Sequence, residues 1–550
     1  MKPGKTGTKR FWVWAALAGI VSAGAFLAAA ELLALAVARD GSPILAVGSF
    51  VIDIVPQPFK EFAIATFGEN DKPALLVGLA LAVVVAAAAS GVLQLLRPPL
   101  GVVTLGIAGA LSVAAIVTRA GATPLAFVSP VVGTVVGGVV LVVLLRRLRA
   151  WRDGALASVG GPSVPVDHTT PADRGIRPTP ASPANPAMRP APTPAVDRRA
   201  FFRITAIAAA SALVVGVGAR VANATTSSIA AVRRALKLPA PQSTVAIPAG
   251  AELDIPGISP LFTSNREFYR VDTALTVPSV DPAAWRLTVD GLVDRRVELT
   301  FDDLVGMGLD EYAITLTCVS NEVGGELVGN AIWLGVPVRD VLRLASPAAG
   351  ADMVLSRSVD GFTASTPLAA LTDDGLDAIL AIGMNGEPLP VEHGFPVRMV
   401  VPGLYGYVSA TKWLTELKVT TFAADEAYWT PRGYSPKAPI KLSSRIDTPR
   451  IDKAVSAGPT TIAGVAWAQT VGIEQVEVQV DDGAWRPATL STPINHDTWV
   501  QWYLEWDATP GTHYVAVRAT DRAGTLQTEE RAPIAPDGST GWQRTLIRVS

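Results

Sequence analysis

Cysteine is almost absent from this chain, since Cys318 is the only one in 550 residues. An intrachain disulfide is therefore impossible, and a zinc site or iron–sulfur cluster built from several cysteines is excluded. The single thiol can still act as a nucleophile, a redox sensor or one ligand of a metal. The alternative is a small buried apolar side chain without a chemical role.

Charge is also scarce, because only 17% of the residues are charged and the formal net charge is −2. Such a balance gives no support for nucleic-acid binding. In contrast, 49% of the residues are hydrophobic and the mean hydropathy is +0.35. The chain is thus too apolar to be wholly soluble, although its second half has an ordinary globular composition.

The apolar excess lies near the N terminus, in four runs long enough to cross a bilayer as helices. These runs are Phe11 to Ala38, Pro73 to Leu96, Leu100 to Thr118 and Pro124 to Leu145. Buried helices of a soluble protein are the alternative, but four nearly uncharged runs in succession favour a transmembrane bundle over residues 1–150. Glu31 is the exception, and we expect it to face a neighbouring helix or the outer interface. Between the first two runs, Ile44 to Val55 is too short to span reliably and predicts an interfacial or re-entrant segment.

Basic residues around these runs predict their direction. They fall on one side of the bundle, at Lys2, Lys5, Lys9, Arg10, Arg97, Arg146, Arg147, Arg149 and Arg152. The positive-inside rule places the N terminus and the end of the fourth run in the cytoplasm.

Histidine is rare as well, and none lies in a predicted span. The four histidines are His168, His393, His496 and His513. Haem ligated by two histidines is therefore not expected in the membrane region. We interpret the bundle as an anchor or as a docking surface for a separate redox partner, either a haem protein or a quinone-linked one. A transporter is a weaker alternative, because Glu31 is the only ionisable residue within the runs.

Residues 151–199 are rich in Pro, Ala, Thr, Ser and Arg, which predicts a disordered cytoplasmic linker. Arg198, Arg199 and Arg203 then precede a fifth apolar run, Ile204 to Ala222, and the segment 200–223 resembles a twin-arginine export signal joined to a fifth transmembrane helix. The alternative is another positive-inside cluster. Both interpretations place everything after about Ala222 outside the cytoplasm.

The exported half predicts two domains. Residues 245–440 mix strand patterns with helical ones such as Pro337 to Leu344, which indicates a mixed α/β core. Residues 441–550 show short alternating strands separated by turns, as expected for an all-β sandwich of immunoglobulin-like size. The strand patterns are Trp285 to Val289, Tyr312 to Thr317, Val397 to Val401, Thr461 to Trp467, Gln475 to Val480 and His513 to Ala519.

Several separated motifs in this half form a series. In chain order they are Thr315 to Cys318 with Asn321, Trp333 to Pro337, Met384 to Pro390, His393 to Arg398, Val401 to Gly403 and Lys412 to Leu414. With them, the segment from about Phe268 to the C terminus resembles the sulfite-oxidase superfamily of molybdopterin-dependent oxidoreductases. The resemblance implies a mixed α/β molybdopterin domain followed by an immunoglobulin-like dimerisation domain, and hence a possible homodimer.

The resemblance also implies roles for individual residues. Cys318 would be the protein's ligand to molybdenum, which suits a soft thiolate. Arg270 would lie near the metal and act in catalysis, and Tyr434 is a candidate for the active-site tyrosine. For the cations the alternative is a solvated surface charge. The expected cofactor-binding residues are Tyr269, Arg270, Asn321, Ser358, Asp360, His393, Arg398, Ser409 and Lys412.

The expected function is two-electron chemistry at a molybdenum–molybdopterin cofactor, usually coupled to oxygen-atom transfer. Around Arg270 and Asp272 the sequence departs from the family pattern, and the segment Tyr428 to Pro436 is shorter than in sulfite oxidases. Sulfite and a sulfoxide or N-oxide therefore both stay open as the small-molecule substrate. A different class of function also stays open, namely a membrane-anchored binding or adhesion module that keeps the fold without the cofactor.

Overall fold

The computed structural model describes residues 5–37, 42–55, 66, 71–117, 125–159, 202–203, 205–206, 209–210, 225–274 and 276–550. They belong to two compact units, one within residues 1–223 and one within residues 224–550. Most of the predicted linker, the Arg198 and Arg199 pair and most of the fifth apolar run lie outside the described residues.

Long apolar helices make up the described part of the N-terminal unit. They are α1 (Lys5–Val37), α2 (Pro43–Ile54), α3 (Asp71–Leu96), α4 (Leu100–Val117) and α5 (Val128–Val159). Four of them contain stretches long and apolar enough to cross a membrane: Arg10–Ala34, Ala74–Leu96, Leu100–Val117 and Val128–Asp153. These four helices coincide with the four predicted runs and are consistent with membrane anchoring.

Two details of this unit differ from the sequence pattern or add to it. Helix α5 does not end near Leu145 but continues through the arginine cluster, since Arg, Leu and Ala all favour the helix and Arg149 donates to the carbonyl of Gln94. Glu31 accepts hydrogen bonds from the Ser42 hydroxyl (2.8 Å) and the Ile44 N–H (3.4 Å), so its carboxylate lies at the N-terminal end of α2.

Close approach of α1 and α3 depends on two glycines. A Cβ atom on Gly91 would overlap the carbonyl oxygen of Ala15, and one on Gly19 would overlap that of Ala87. Small residues allow helix backbones to approach closely where apolar burial offers little drive for association.

We predict that Gly91→Ala destabilises the N-terminal unit, because the added methyl group must push α1 away from α3. Gly78→Ala is the matched control on the same helix, since nothing lies within 4 Å of its Cβ position. The control should be neutral or stabilising by up to about 1 kcal/mol through helix propensity. Thermal unfolding of the full chain in detergent measures both; an equal midpoint for the two variants would contradict the packing.

The C-terminal unit begins with α6 (Thr225–Ala235) and continues with short helices between strands. The helices are α7 (Phe301–Gly306), α8 (Val338–Ala345), α9 (Leu368–Thr372) and α10 (Gly406–Ser409), with single 3-10 turns at Val391–His393 and Thr430–Arg432. The first ten strands are β1 (Arg286–Gly291), β2 (Val297–Thr300), β3 (Asp310–Thr317), β4 (Val328–Pro337), β5 (Met353–Ser358), β6 (Thr363–Pro367), β7 (Ile379–Met384), β8 (Glu387–Pro388), β9 (Arg398–Val400) and β10 (Leu414–Thr420).

These ten strands form two five-stranded sheets. One has the order β2-β1-β10-β5-β6, in which β1 and β10 run parallel and the other neighbours antiparallel. The other has the order β3-β4-β7-β8, with β9 also paired to β7. Strands β3, β4 and β7 are almost wholly buried, as their near-continuous apolar sequences require. The mixed α/β prediction for this region agrees with this arrangement.

The remaining strands form two four-stranded antiparallel sheets. They are β11 (Ser443–Thr448), β12 (Gly458–Trp467), β13 (Ile473–Val480), β14 (Arg486–Pro487), β15 (Thr489–Leu490), β16 (Val500–Ala508), β17 (Gly511–Asp521) and β18 (Gln543–Val549). The sheet orders are β11-β12-β16-β15 and β14-β13-β17-β18, and one apolar cluster, which includes Trp502 and Val517, contains residues of both. Two sheets that share one core form a sandwich. The narrower immunoglobulin-like and dimerisation assignments stay predictions.

Candidate molybdopterin site

Cys318 directly follows β3 and begins the loop to β4. Its N–H donates to the carbonyl of Leu327 (2.9 Å), and its own carbonyl accepts from the N–H of Asn321 (3.0 Å). The side-chain oxygen of Asn321 accepts from the N–H of Leu327 (2.8 Å). Asn321 therefore shapes the loop that presents the thiol, which we name the cysteine loop (residues 318–327).

The thiol of Cys318 is buried, with 8% of the residue exposed. Burial raises its pKa, whereas hydrogen bonds from the N–H and hydroxyl of Ser320 and the charge of Lys412 act in the opposite direction. Donors aimed at sulfur and a nearby cation favour the thiolate. This environment suits a thiolate that binds a metal cation better than one that reacts with a solvent-borne electrophile.

Arg398, on β9, is a buried guanidinium with 5% exposure. Its terminal nitrogens donate to the carbonyls of His393 (3.1 Å) and Ala410 (3.4 Å), and it lies 5.1 Å from the ring of Trp333. Burial lowers its pKa to about 10. Among the described residues its Nε has no hydrogen-bond partner. A buried charge that meets only neutral carbonyls is costly, and an anion would complete its hydrogen bonding.

Lys412 is a second buried cation of the site. Its ammonium donates to the carboxylate of Asp272 (2.8 Å) and to the carbonyl of Glu392 (3.1 Å). Burial lowers its pKa to about 8, although Asp272 acts in the opposite direction.

Gly394 lies between the backbones that carry the two cations, Arg398 and Lys412. Gly394 has a φ of +113°, and a Cβ at this position would lie 3.0 Å from Cβ of Arg398 and 3.1 Å from Cβ of Lys412. Any side chain would be strained by this backbone conformation and would also crowd both cations. Position 394, directly after His393, therefore requires glycine.

His393 contributes an uncharged ring to the site. Burial, together with the charges of Arg398 and Lys412, lowers its pKa to about 3. Its Nε2 lies 3.1 Å from the carbonyl oxygen of Asn265. Because a carbonyl only accepts, this network assigns the proton to Nε2 and leaves Nδ1 as an acceptor.

Arg270 lies at the rim, with 39% of its side chain exposed. Its Nε donates to the carboxylate of Asp272 (3.0 Å), which is 4% exposed and also pairs with Lys412. Within the described part of the chain its terminal nitrogens make no hydrogen bond, so this end of the guanidinium can receive a ligand. Asp272, which joins the two cations, was not among the predicted site residues.

Two tyrosines lie close enough to Cys318 for its negative charge to raise their pKa values. Burial is the main cause for both, and the charge of Arg398 partly opposes it at Tyr269. The pKa of Tyr405 is raised to about 12, and its hydroxyl accepts from the N–H of Lys441 (3.4 Å). Sequence analysis missed Tyr405; its position just after the Val401 to Gly403 motif was the available signal.

The remaining predicted residues are placed as follows. Tyr434 packs in the aromatic cluster that contains Tyr405 and Val319, next to the cysteine loop. The hydroxyl of Ser409 donates to the carbonyls at the start of α10, Leu404 and Tyr405 (both 3.0 Å).

Ser358 and Asp360 form a turn next to Trp413. The Asp360 carboxylate accepts from the N–H of Phe362 (3.2 Å), and the N–H of Val359 donates to the carbonyl of Trp413 (2.9 Å). The turn that contains both predicted residues is therefore hydrogen-bonded to the residue that follows Lys412.

The donor set fits a molybdenum–molybdopterin cofactor. In the described residues no group of three or more His, Cys, Asp or Glu side chains could hold a metal by itself. A metal bound to Cys318 would take further ligands from the dithiolene sulfurs of molybdopterin. The unpaired Nε of Arg398 and the nearby Lys412 match the negative charge of such a group and its phosphate.

Comparison with known proteins points to the same class. Residues 274–429 match the model of the oxidoreductase molybdopterin binding domain. The mitochondrial sulfite oxidase of Homo sapiens is 31% identical over 331 residues, which cover 50% of this chain and 60% of that protein. The nitrate reductase [NAD(P)H] of Hordeum vulgare is 29% identical over 319 residues, which cover 46% of this chain and 35% of that protein. The crystal structure of the sulfane dehydrogenase SoxCD from Paracoccus pantotrophus overlaps 56% of this chain and 88% of its own, at 22% identity and a TM-score of 0.47.

The chain therefore contains a molybdopterin-binding oxidoreductase domain. This domain is similar to that of the sulfite oxidase superfamily. It spans about three fifths of the length of the human sulfite oxidase that it matches.

We predict that His393 makes the cofactor-free protein sensitive to acid. Its folded pKa of about 3 lies below the unfolded value of about 6.5, so the unfolded state binds more protons between these values and stability falls as the pH drops from 6.5 towards 3. His393→Gln should make the loss shallower, by at most about 1.4 kcal/mol per pH unit. Thermal midpoints between pH 7 and pH 4.5, on protein from cells unable to make the cofactor, give this slope.

His513 in the sandwich provides a control of opposite sign. Its hydrogen bond to Asp481 (2.6 Å) raises its pKa, so its contribution is present below pH 6.5 and lost as the pH rises through the folded pKa. His513→Gln should remove stability at low pH. Identical pH slopes for wild type and His393→Gln would contradict the neutral assignment of His393.

Proposed function

We propose that this protein is a membrane-anchored, molybdenum-dependent oxidoreductase whose active domain lies outside the cytoplasm. It performs two-electron chemistry, with oxygen-atom transfer to or from a small substrate such as sulfite, a sulfoxide or an N-oxide. One observation carries the proposal: a buried thiol with donors to its sulfur lies near the buried cation Lys412. A second buried cation, Arg398, lies next to the same glycine as Lys412 and has a donor without a partner among the described residues.

The chain's own residues divide the work of binding the cofactor. Cys318 would bind the metal, and Arg398 and Lys412 would hold the anionic parts of the pterin through charged hydrogen bonds. His393 would offer Nδ1 as an acceptor for a pterin N–H, because its Nε2 proton is bound to the Asn265 carbonyl. When bound, molybdenum supplies two-electron cycling between Mo(VI) and Mo(IV).

The two tyrosines near the thiol, Tyr269 and Tyr405, act as hydrogen-bond donors in this proposal. Their raised pKa values keep both hydroxyls protonated at neutral pH, so each can donate a hydrogen bond to a substrate oxygen atom. In this proposal Tyr269 and Tyr405 orient the substrate near the metal ligand. Tyr434 belongs to the same apolar cluster as Tyr405 and packs its ring against Tyr407 and Trp429.

Substrate entry is proposed at the rim marked by Arg270. The terminal nitrogens of this guanidinium can hold an oxygen atom of the substrate, while the pair with Asp272 fixes the side chain. Asp272 pairs with both Arg270 and Lys412, so the three side chains together carry a net charge of about +1. Because the remaining positive charge does not decide between an anionic and a neutral substrate, the rates with sulfite and with neutral S-oxides or N-oxides must be compared directly.

The N-terminal helices supply the anchor in this proposal. Their basic residues support a cytoplasmic N terminus, and export of the folded domain by the twin-arginine pathway remains the proposed route. Electrons pass to or from a separate redox partner, a haem protein or a quinone-linked one, and the sandwich is proposed to pair two copies of the chain.

We predict near-stoichiometric molybdenum and pterin in matured wild-type protein. Cys318→Ser should retain pterin, because Arg398, Lys412 and His393 are unchanged, but should alter the absorption spectrum of the metal and abolish turnover. Elemental mass spectrometry, pterin fluorescence and assays of sulfite oxidation and of sulfoxide and N-oxide reduction test this. Wild-type protein without molybdenum or pterin would instead support the binding or adhesion module.

We predict that Arg398→Met weakens cofactor retention. Loss of a buried charged hydrogen bond costs about 1.5–3 kcal/mol, which corresponds to a factor of about 10–150 in affinity. Arg357→Met is the matched control, because Arg357 also lies on a strand of this domain but its Nε pairs with Glu416 (2.6 Å), whereas the Nε of Arg398 has no partner among the described residues. Pterin released during dialysis measures retention. Equal release from both variants would contradict the role of Arg398.

A further inference from the structure

The cysteine loop is held from outside its own domain. Its contacts come from the C-terminal sandwich, where Arg445 on β11 donates through Nη1 to the carbonyl of Gly325 (2.9 Å). The hydroxyl of Ser539, before β18, donates to the carbonyl of Asn321 (2.7 Å). The side chain of Gln543 occupies the space where Gly324 lacks a Cβ, at 2.9 Å from that position.

Arg445 is a rigid member of this set. Its Nε donates to Asp447 (2.6 Å), and its Nη2 donates to the hydroxyl of Ser259 (2.7 Å). Asp447 in turn accepts from the N–H of Ser259 (2.9 Å). A buried planar guanidinium with all three nitrogens engaged has little freedom to move, so the Gly325 carbonyl is fixed with it.

The two contacts reach Cys318 through a short chain of backbone hydrogen bonds. The N–H of Gly325 donates to the carbonyl of Glu322 (2.8 Å), and the N–H of Asn321 donates to the carbonyl of Cys318 (3.0 Å). Arg445 and Ser539 thus hold the two ends of the turn that follows the thiol.

We propose that Arg445 and Ser539 are positioning residues for Cys318, so that the sandwich completes the metal-ligand loop. This inference rests on the proposed role of Cys318 as the metal ligand. It gives the sandwich a function within a single chain, independent of any pairing between copies.

The single cysteine makes the test specific, because a thiol reagent can label only Cys318. In cofactor-free full-length protein, Ser539→Ala should raise the labelling rate by about three- to tenfold, the change expected from the loss of one hydrogen bond. Arg445→Lys should raise it by at least as much, because the hydrogen bonds to Gly325 and Ser259 are both lost. Lysine keeps the charge that pairs with Asp447 but loses the fork that reaches Gly325.

The chain offers a matched control for each variant. Thr540→Ala removes a neighbouring hydroxyl that donates to the carbonyl of Glu530 (2.7 Å) and not to the cysteine loop. Arg450→Lys alters an exposed arginine that pairs with Asp452 at the same sequence spacing as Arg445 with Asp447. Labelling rates within twofold of wild type are expected for both.

Thermal unfolding and hydrogen exchange separate a local effect from a global one. Faster exchange at Asn321 and Leu327, with unchanged exchange at Trp333 in β4, supports the proposal. Labelling that rises only in proportion to a loss of global stability overturns it, as does labelling equal to the controls.

The metal-loaded protein gives an independent readout. After one-electron reduction to Mo(V), the electron paramagnetic resonance spectrum of the metal should shift in Ser539→Ala and stay unchanged in Thr540→Ala, because the sulfur ligand is expected to change its orientation in the first only. Molybdenum missing from wild-type protein would remove the proposed function, whereas the labelling result on cofactor-free protein would stand.

Discussion

The buried guanidinium of Arg398 is the constraint around which the molybdopterin site is arranged. A permanent charge in an apolar core is unfavourable unless it is well paired, and here two neutral carbonyls and the face of Trp333 are its contacts. The ring of His393 stays neutral beside it, and Gly394 allows Lys412 to approach. An anion that binds this cluster relieves the repulsion between its cations and restores the missing hydrogen bond. Cofactor binding and stability of the site are therefore linked.

Local sequence patterns predicted much of the architecture. Apolar runs such as Leu100 to Thr118 have the length of a membrane-crossing helix, and alternation in segments such as Thr461 to Trp467 has the period of a strand. Both signals come from neighbouring residues and can be read without knowledge of the rest of the chain. The extension of α5 past Leu145 escaped the hydropathy pattern, because arginines end an apolar run without ending a helix.

The residues that the sequence analysis named for the site lie mostly in compact motifs, as His393 and Arg398 do. Asp272, Tyr405 and Arg445 were missed because their roles arise from contacts between distant segments. Asp272 meets Lys412 across 140 positions, and Arg445 meets Gly325 across 120. No periodicity or spacing in the sequence marks such pairs, since they depend on strand register and on how the two domains meet.

The contacts on the cysteine loop have a consequence for the order of synthesis. Asn321 and Ser539 are separated by 218 positions, so this contact on the cysteine loop forms only after more than two hundred further residues have been synthesised. If the cysteine loop had contacts only within its own domain, that domain could complete the loop as it emerges from the ribosome. In this chain, molybdopterin meets a fully ordered thiol only after the last strands have joined the sandwich.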